Sequence, residues 1–304
     1  MRWRPSGQTQ VEDRRGAGGL GGLGGMRMGG LGGGGGIPIP VGGGLGGIVL
    51  VIIVIVVMNL MGGGGGVSSG LQGAKGGAIA SLAPGDDQGQ FINAITVDVQ
   101  TFWTEEFSAA GRSYPVTTLV LFTDSTQSGC GVASSQTGPF YCPGDQKVYL
   151  DAGFFDELHS RFAAPGDFAE AYVIAHEFGH HVQDALGTMD EVGQEQQAGS
   201  DPGGANGLSV RLELQADCYA GVWANSVWTS PDQSNVESIT EADVNEAIGA
   251  AQAVGDDRIQ EQATGTIDKE TWTHGSASQR AKWFNTGFKS GTMDSCDTFN
   301  AATL

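Results

Sequence analysis

FAEAYVIAHEFGHHVQDAL, from Phe168 to Leu186, is the stretch from which the rest of the chain can be read. Its apolar residues recur at helical spacing, and His176 and His180 stand four apart, on one face of such a helix. Two neutral imidazoles so placed can hold one zinc ion and leave room for a further protein ligand and a water. Glu177 lies one position round from His176, where a carboxylate can take the proton of that water without closing the open coordination position. A pair of histidines satisfied inside a core is the plainer alternative; the intervening glutamate and the helical context argue against it.

The spacing around this motif separates kinds of zinc site. A metzincin pattern would need Gly and His at Gln183 and Leu186, so that kind is excluded. His181 points about 100° away from His180 on a helix, and Asp184, Glu191 and Glu195 fall on the far side or in the polar stretch that follows. The better third ligand is Glu213, in the helical pattern LSVRLELQADCYAGVW that opens after Gly207. Asp217 is four residues on and shares its face, placed to accept the free N–H of a ligating histidine. Two solvated acids on an exposed face are the competing reading.

Working outward, FINAITVDVQTFWTEEFSAAG predicts a helix from Phe91 to Gly111, and Val116–Phe122 and Lys147–Asp151 predict short strands. From Asp167 the pattern is mostly helical, with a polar Gly/Gln loop expected over 187–207. The fold class expected is α+β, with a small sheet and a predominantly helical lobe occupying 91–304. The part after Gly85 carries 9 Lys/Arg against 32 Asp/Glu. Such an acidic domain repels phosphate backbones, which excludes nucleic acid as a partner.

Ahead of that domain the composition changes. Of 52 glycines, 24 lie between positions 16 and 66 without a G-X-Y period, so the tract is a low-complexity arm and not collagen. No charge occurs from Met28 to Ala74, and Ile48–Met61 reads IVLVIIVIVVMNLM. Extended back to Val41, the run is long enough to cross a bilayer. The expected organisation is an arm over 1–40, a transmembrane helix over 41–61, a linker over 62–90 and the domain. Arg2, Arg4, Arg14, Arg15 and Arg27 precede the span, which places the N-terminus in the cytosol and the domain outside.

All four cysteines follow the span. Cys130 and Cys142 bracket GVASSQTGPFY, which reads as a short loop closed by a disulfide, leaving Cys218 with Cys296. A zinc knuckle would need CxxC spacing, which is absent. Other motifs are decoys: Gly66–Gly70 matches GxSxG but runs into a flexible linker, and GxGxxG matches in the Gly-rich tract carry no nucleotide inference. His159 reads as a surface or core histidine, and Asp256, Asp257 and Arg258 as a charge group on a helix surface, with a role in bracing the site as the alternative.

HEFGH followed by ELQAD resembles the glutamate-ligand zinc peptidases, and THGSASQR resembles the THPxxxxR segment of the CAAX-prenyl and heat-shock endopeptidases, with His274 and Arg280 six apart. The Arg/Gly-rich N-terminus, the single span, GPFYCPGDQKVYLD, HEFGHHVQ, LELQADCYAG, THGSASQR and CDTF together resemble the bacterial family called putative neutral zinc metallopeptidases. The resemblance implies a zincin-like catalytic domain with zinc held by His176, His180 and Glu213, and Glu177 as general base. It further implies His274 as a donor to the oxyanion, Asp217 and Arg280 as supporting residues, and a peptide or protein substrate.

Overall fold

The computed structural model describes residues 1–16, 82–83, 85–160, 162–199, 203–230 and 234–304. A four-stranded sheet runs in the order β2 (Val11–Asp13), β3 (Leu119–Phe122), β7 (Lys147–Asp151), β6 (Phe140–Cys142). The first three are parallel and β6 is antiparallel to β7, leaving β6 as one edge. Side chains alternate across a strand. Leu119, Leu121, Val148 and Leu150 therefore join the main core, while Val120, Phe122, Tyr149 and Phe140 form a small second core. That second core also takes Ala133 from the hairpin of β4 (Ser125–Ser128) and β5 (Gly131–Ser134).

The helices are α1 (Asp87–Ala109), α2 (Phe154–Ser160), α3 (Asp167–Leu186), α4 (Thr188–Gln197), α5 (Leu208–Thr229), α6 (Glu241–Ala253), α7 (Asp256–Thr264) and α8 (Ala277–Ser290). Helix α3 is buried almost all round from Phe168 to Gln183, as expected of a central helix that α1, α5 and α6 all pack against. Its end is set by Gly187, in the left-handed conformation that glycine adopts without strain. Helix α8 starts with a capping box, in which the Ser276 hydroxyl accepts from the Gln279 N–H and the Gln279 side chain accepts from the Ser276 N–H. Helices α5 and α8 approach closely because Gly221 and Gly287 face the opposite backbone; a methyl at Gly287 would meet the Cys218 carbonyl.

The α+β class and the strand at Lys147–Asp151 are as expected. Three expectations need correction. The polar loop over 187–207 contains α4, whose Val192 and Gly193 are buried while its other face is polar. The linker does not reach residue 90, because α1 already begins at Asp87, where the Asp86 carboxylate caps the Gly89 N–H. The arm over 1–40 is not separate from the domain along its first residues. β1 (Arg2–Trp3) pairs antiparallel with β8 (Val236–Ser238), and β2 adds a parallel strand to β3. The physical reason is that β3 is apolar on both faces and needs a neighbour at this edge; a three-residue strand carrying one buried valine supplies it.

Among the described residues no helix is long and apolar enough to cross a membrane. The span expected over 41–61 lies outside the described residues. Both disulfides, Cys130–Cys142 and Cys218–Cys296, are formed as expected.

Candidate metal centre

Helix α3 presents His176, Glu177 and His180; α5 presents Glu213 and Asp217. The two helices can approach because Gly179, inside HEFGH, faces Ala216. A Cβ at position 179 would lie 3.0 Å from the Ala216 carbonyl oxygen and 3.1 Å from its Cα. One potential ligand atom from each of His176, His180 and Glu213 lies within 4.8 Å of the others. His176 Nε2 is 3.2 Å from Glu213 Oε2, and His180 Nε2 is 3.5 Å from Glu213 Oε1.

The donor set fits zinc. Bonds of ~2.0–2.1 Å in tetrahedral array put neighbouring ligand atoms roughly 3.3 Å apart, close to the two separations observed. The tautomers agree: His176 Nδ1 donates to Asp217 Oδ1 at 2.9 Å and His180 Nδ1 donates to Gln183 Oε1 at 2.8 Å, so each Nε2 keeps its lone pair for the site. A lone pair and a carboxylate oxygen facing one another need a cation between them. Without a metal, a proton serves: burial opposes it, but Asp217 and Glu213 outweigh burial and push the His176 pKa up to about 10.

The surroundings lock this arrangement. Arg280 on α8 grips Asp217 with Nε at 2.8 Å from Oδ2 and Nη2 at 2.9 Å from Oδ1, and Tyr172 donates its hydroxyl to the same carboxylate. Gln183 donates to the Leu212 carbonyl at 2.7 Å and to Gln215 Oε1 at 3.0 Å, and Gln215 donates to the Cys296 carbonyl at 3.1 Å. The disulfide-held C-terminal turn thereby reaches the His180 ring through two amides.

His274 precedes α8 and lines the same cleft as His176, Glu177, His180 and Glu213. Asp256, opening α7, holds it: its Oδ2 accepts the backbone N–H groups of Thr273 and His274 at 2.7 Å and of Gly275 at 3.0 Å, and its Oδ1 lies 3.3 Å from His274 Nδ1. Burial opposes charge on His274, but Glu213 and Asp256 outweigh it and raise the pKa. Burial would also raise Glu213, yet His180, His274 and His176 hold its carboxyl well below the ordinary range. Glu177 differs: burial dominates and pushes its carboxyl up, toward the range of a usable base.

The structure therefore brings His176, Glu177, His180, Glu213, His274 and Arg280 to one cleft, with Asp217 behind His176. The other third-ligand candidates stand elsewhere: His181 contacts Tyr141 and the Pro115 carbonyl, and Asp184 accepts the Tyr141 hydroxyl. Glu191 and Glu195 belong to α4, outside the donor set. Of the two readings of Asp256 and Asp257, the contacts favour bracing over a surface charge group. Asp256 is 2% exposed, and Asp257 accepts the Ala277 N–H at 2.7 Å. Tyr172 and Gln183 carried no sequence signal beyond their polarity at otherwise apolar positions.

The model of the family described as putative neutral zinc metallopeptidase matches residues 1–299. "Uncharacterized protein YpfJ" of Escherichia coli K12 is 40% identical over 301 residues, covering 98% of this chain and 99% of the relative. "Uncharacterized protein Rv2575" of Mycobacterium tuberculosis H37Rv is 44% identical over 240 residues, 76% of this chain and 78% of the relative. No solved structure matches the chain.

Proposed function

The chain belongs to the putative neutral zinc metallopeptidase family, and on that footing we propose that it hydrolyses peptide bonds, as an endopeptidase with a zincin-like domain held at a membrane. The observation that carries the reading is Glu177: a carboxyl that burial has made more basic, next to His176 in sequence and lining the same cleft as the two histidines and Glu213. A purely structural zinc site has no use for such a group.

Zinc, when held by His176, His180 and Glu213, supplies Lewis-acid polarisation and makes the attacking water a stronger nucleophile. Glu177 takes the proton from that water and returns it to the leaving nitrogen. His274, whose pKa burial would lower but Glu213 and Asp256 raise, donates to the oxygen that becomes negative as the carbonyl is attacked. Asp217, Tyr172 and Arg280 hold the His176 ring in its tautomer.

The cleft, about 470 Å³, runs beside β6, one of the two edge strands of the sheet. An extended substrate segment can pair with that edge. Val173, Met189, Val192, Leu212 and Phe154 give the cleft an apolar wall, suited to a bulky apolar side chain near the scissile bond. The apolar stretch Ile48–Met61 would supply the membrane attachment, and two disulfides suit an oxidising compartment.

The test is a screen of the purified full chain against proteins and against muropeptides, with Glu177→Gln in parallel. Wild type should cleave a protein substrate, and the variant should keep its zinc while losing activity by about 10²-fold or more. Cleavage of muropeptides alone would make the enzyme a cell-wall amidase, and equal turnover by both forms would remove Glu177 from the mechanism.

A further inference from the structure

The first fifteen residues are tied into the domain by contacts that reach its interior. Val11 is fully buried in the main core, and its strand covers the edge of β3 in register, Val11 opposite Leu119 and Asp13 opposite Leu121. Two buried amides on α1 depend on this segment. Asn93 accepts from the Gln10 N–H at 2.9 Å and donates to the Gln8 carbonyl at 2.8 Å, while Gln100 donates to Gln10 Oε1 at 2.7 Å. Removing residues 8–13 would leave Asn93, 2% exposed, without these partners and would open a sheet edge made of buried residues.

The arginines tell the same story. Arg2 Nε donates to the Ser238 hydroxyl, Arg4 to the Ser234 carbonyl, Arg14 to Glu12, Thr126 and the Gln127 carbonyl, and Arg15 to Asp13 and Asp86. Four of the five arginines that orient the chain under the positive-inside rule are thus engaged by the domain itself. In the folded chain these side chains are hydrogen-bonded or ion-paired within the domain, and so are not free to sit at a membrane surface on its far side.

Resting on the membrane attachment proposed above, we infer that residues 1–15 lie on the same side of the membrane as the metallopeptidase domain, the oxidising side. A single crossing would hold β1 and β2 a bilayer away from β8 and β3, and both pairings would be lost. Because the entropic cost of closing a loop grows only logarithmically with its length, the long connection does not forbid the docking. This inference stands apart from the zinc assignment, since it rests on none of the same residues.

The test uses the full chain in bacterial cells. Thr9→Cys and Ser230→Cys each place one thiol at an exposed position, the native cysteines being paired. A membrane-impermeant maleimide should label both before lysis. Labelling of Ser230→Cys in intact cells with Thr9→Cys reacting only after lysis would overturn the inference. A second measurement guards against a variant effect: Val11→Asp, unlike Thr9→Asp, should lower the melting temperature of the purified domain-containing chain by several degrees. An unchanged melting temperature for Val11→Asp would show that β2 is not part of the fold and would likewise overturn it.

Discussion

Asp217→Asn tests how the site is built, because one carboxylate joins His176, a proposed zinc ligand, to the buried cation Arg280. Asp217 is fully buried and the Arg280 side chain 4% exposed, so no solvent screens the pair. The amide keeps one acceptor oxygen but turns an N–H₂ toward donors: Arg280 approaches one oxygen with Nε at 2.8 Å and the other with Nη2 at 2.9 Å. Leaving a buried guanidinium without its anion costs about 3–5 kcal/mol. Weakening the partner of His176 Nδ1–H costs roughly 10–100-fold in metal affinity, or about 1.4–2.7 kcal/mol. The folding effect is the larger. Urea unfolding of the purified chain, with and without zinc, and zinc competition against a chelator measure the two separately. Arg280→Met should be comparably destabilised, and the double variant less than the sum, with a coupling of about 0.5–3 kcal/mol. An Asp217→Asn protein within about 1 kcal/mol of wild type, binding zinc equally well, would refute the reasoning.

Elemental analysis should find about one zinc per chain, with most of it lost in His176→Ala, His180→Ala and Glu213→Ala but retained in Glu195→Ala. Asp256 bears on pH dependence: burial alone would raise its pKa, but the His274 ring and the backbone N–H groups of residues 273 and 274 hold it below 3.8. Stability from this carboxylate is present above that value and lost as pH falls through the lower folded one. Asp256→Asn should therefore be less stable than wild type at pH 7, with the difference shrinking below about pH 4 in thermal melts. Of the two disulfides, Cys218–Cys296 closes 78 residues and Cys130–Cys142 closes 12. In the chain-entropy account, removing the first should cost about 4.5 kcal/mol and the second about 2.8 kcal/mol, an order that paired Cys→Ser variants and chemical unfolding would check.

The sequence by itself determined whatever depends on spacing within one regular element. On a helix, residues four apart share a face whatever surrounds them, so His176 with His180, and Glu213 with Asp217, could be read as pairs before any packing was known. The strand at Lys147–Asp151 and the α+β class followed from periodicity in the same way. Tertiary structure decided what meets across elements. Gly179 against Ala216 brings Glu213 to the histidines, and Asp256 reaches His274 from a separate helix; neither pairing has a period or a fixed separation along the chain. Helix α4 was missed because its apolar residues are too few to show a pattern, yet Val192 and Gly193 find a surface to cover. The N-terminal residues mark the sharpest difference. Composition reads their arginines as free charge beside a membrane span, because a sequence gives charge without partners. Only the folded chain shows Val11 in the core and Arg2, Arg4, Arg14 and Arg15 paired with groups more than 70 residues away or with the carboxylates beside them.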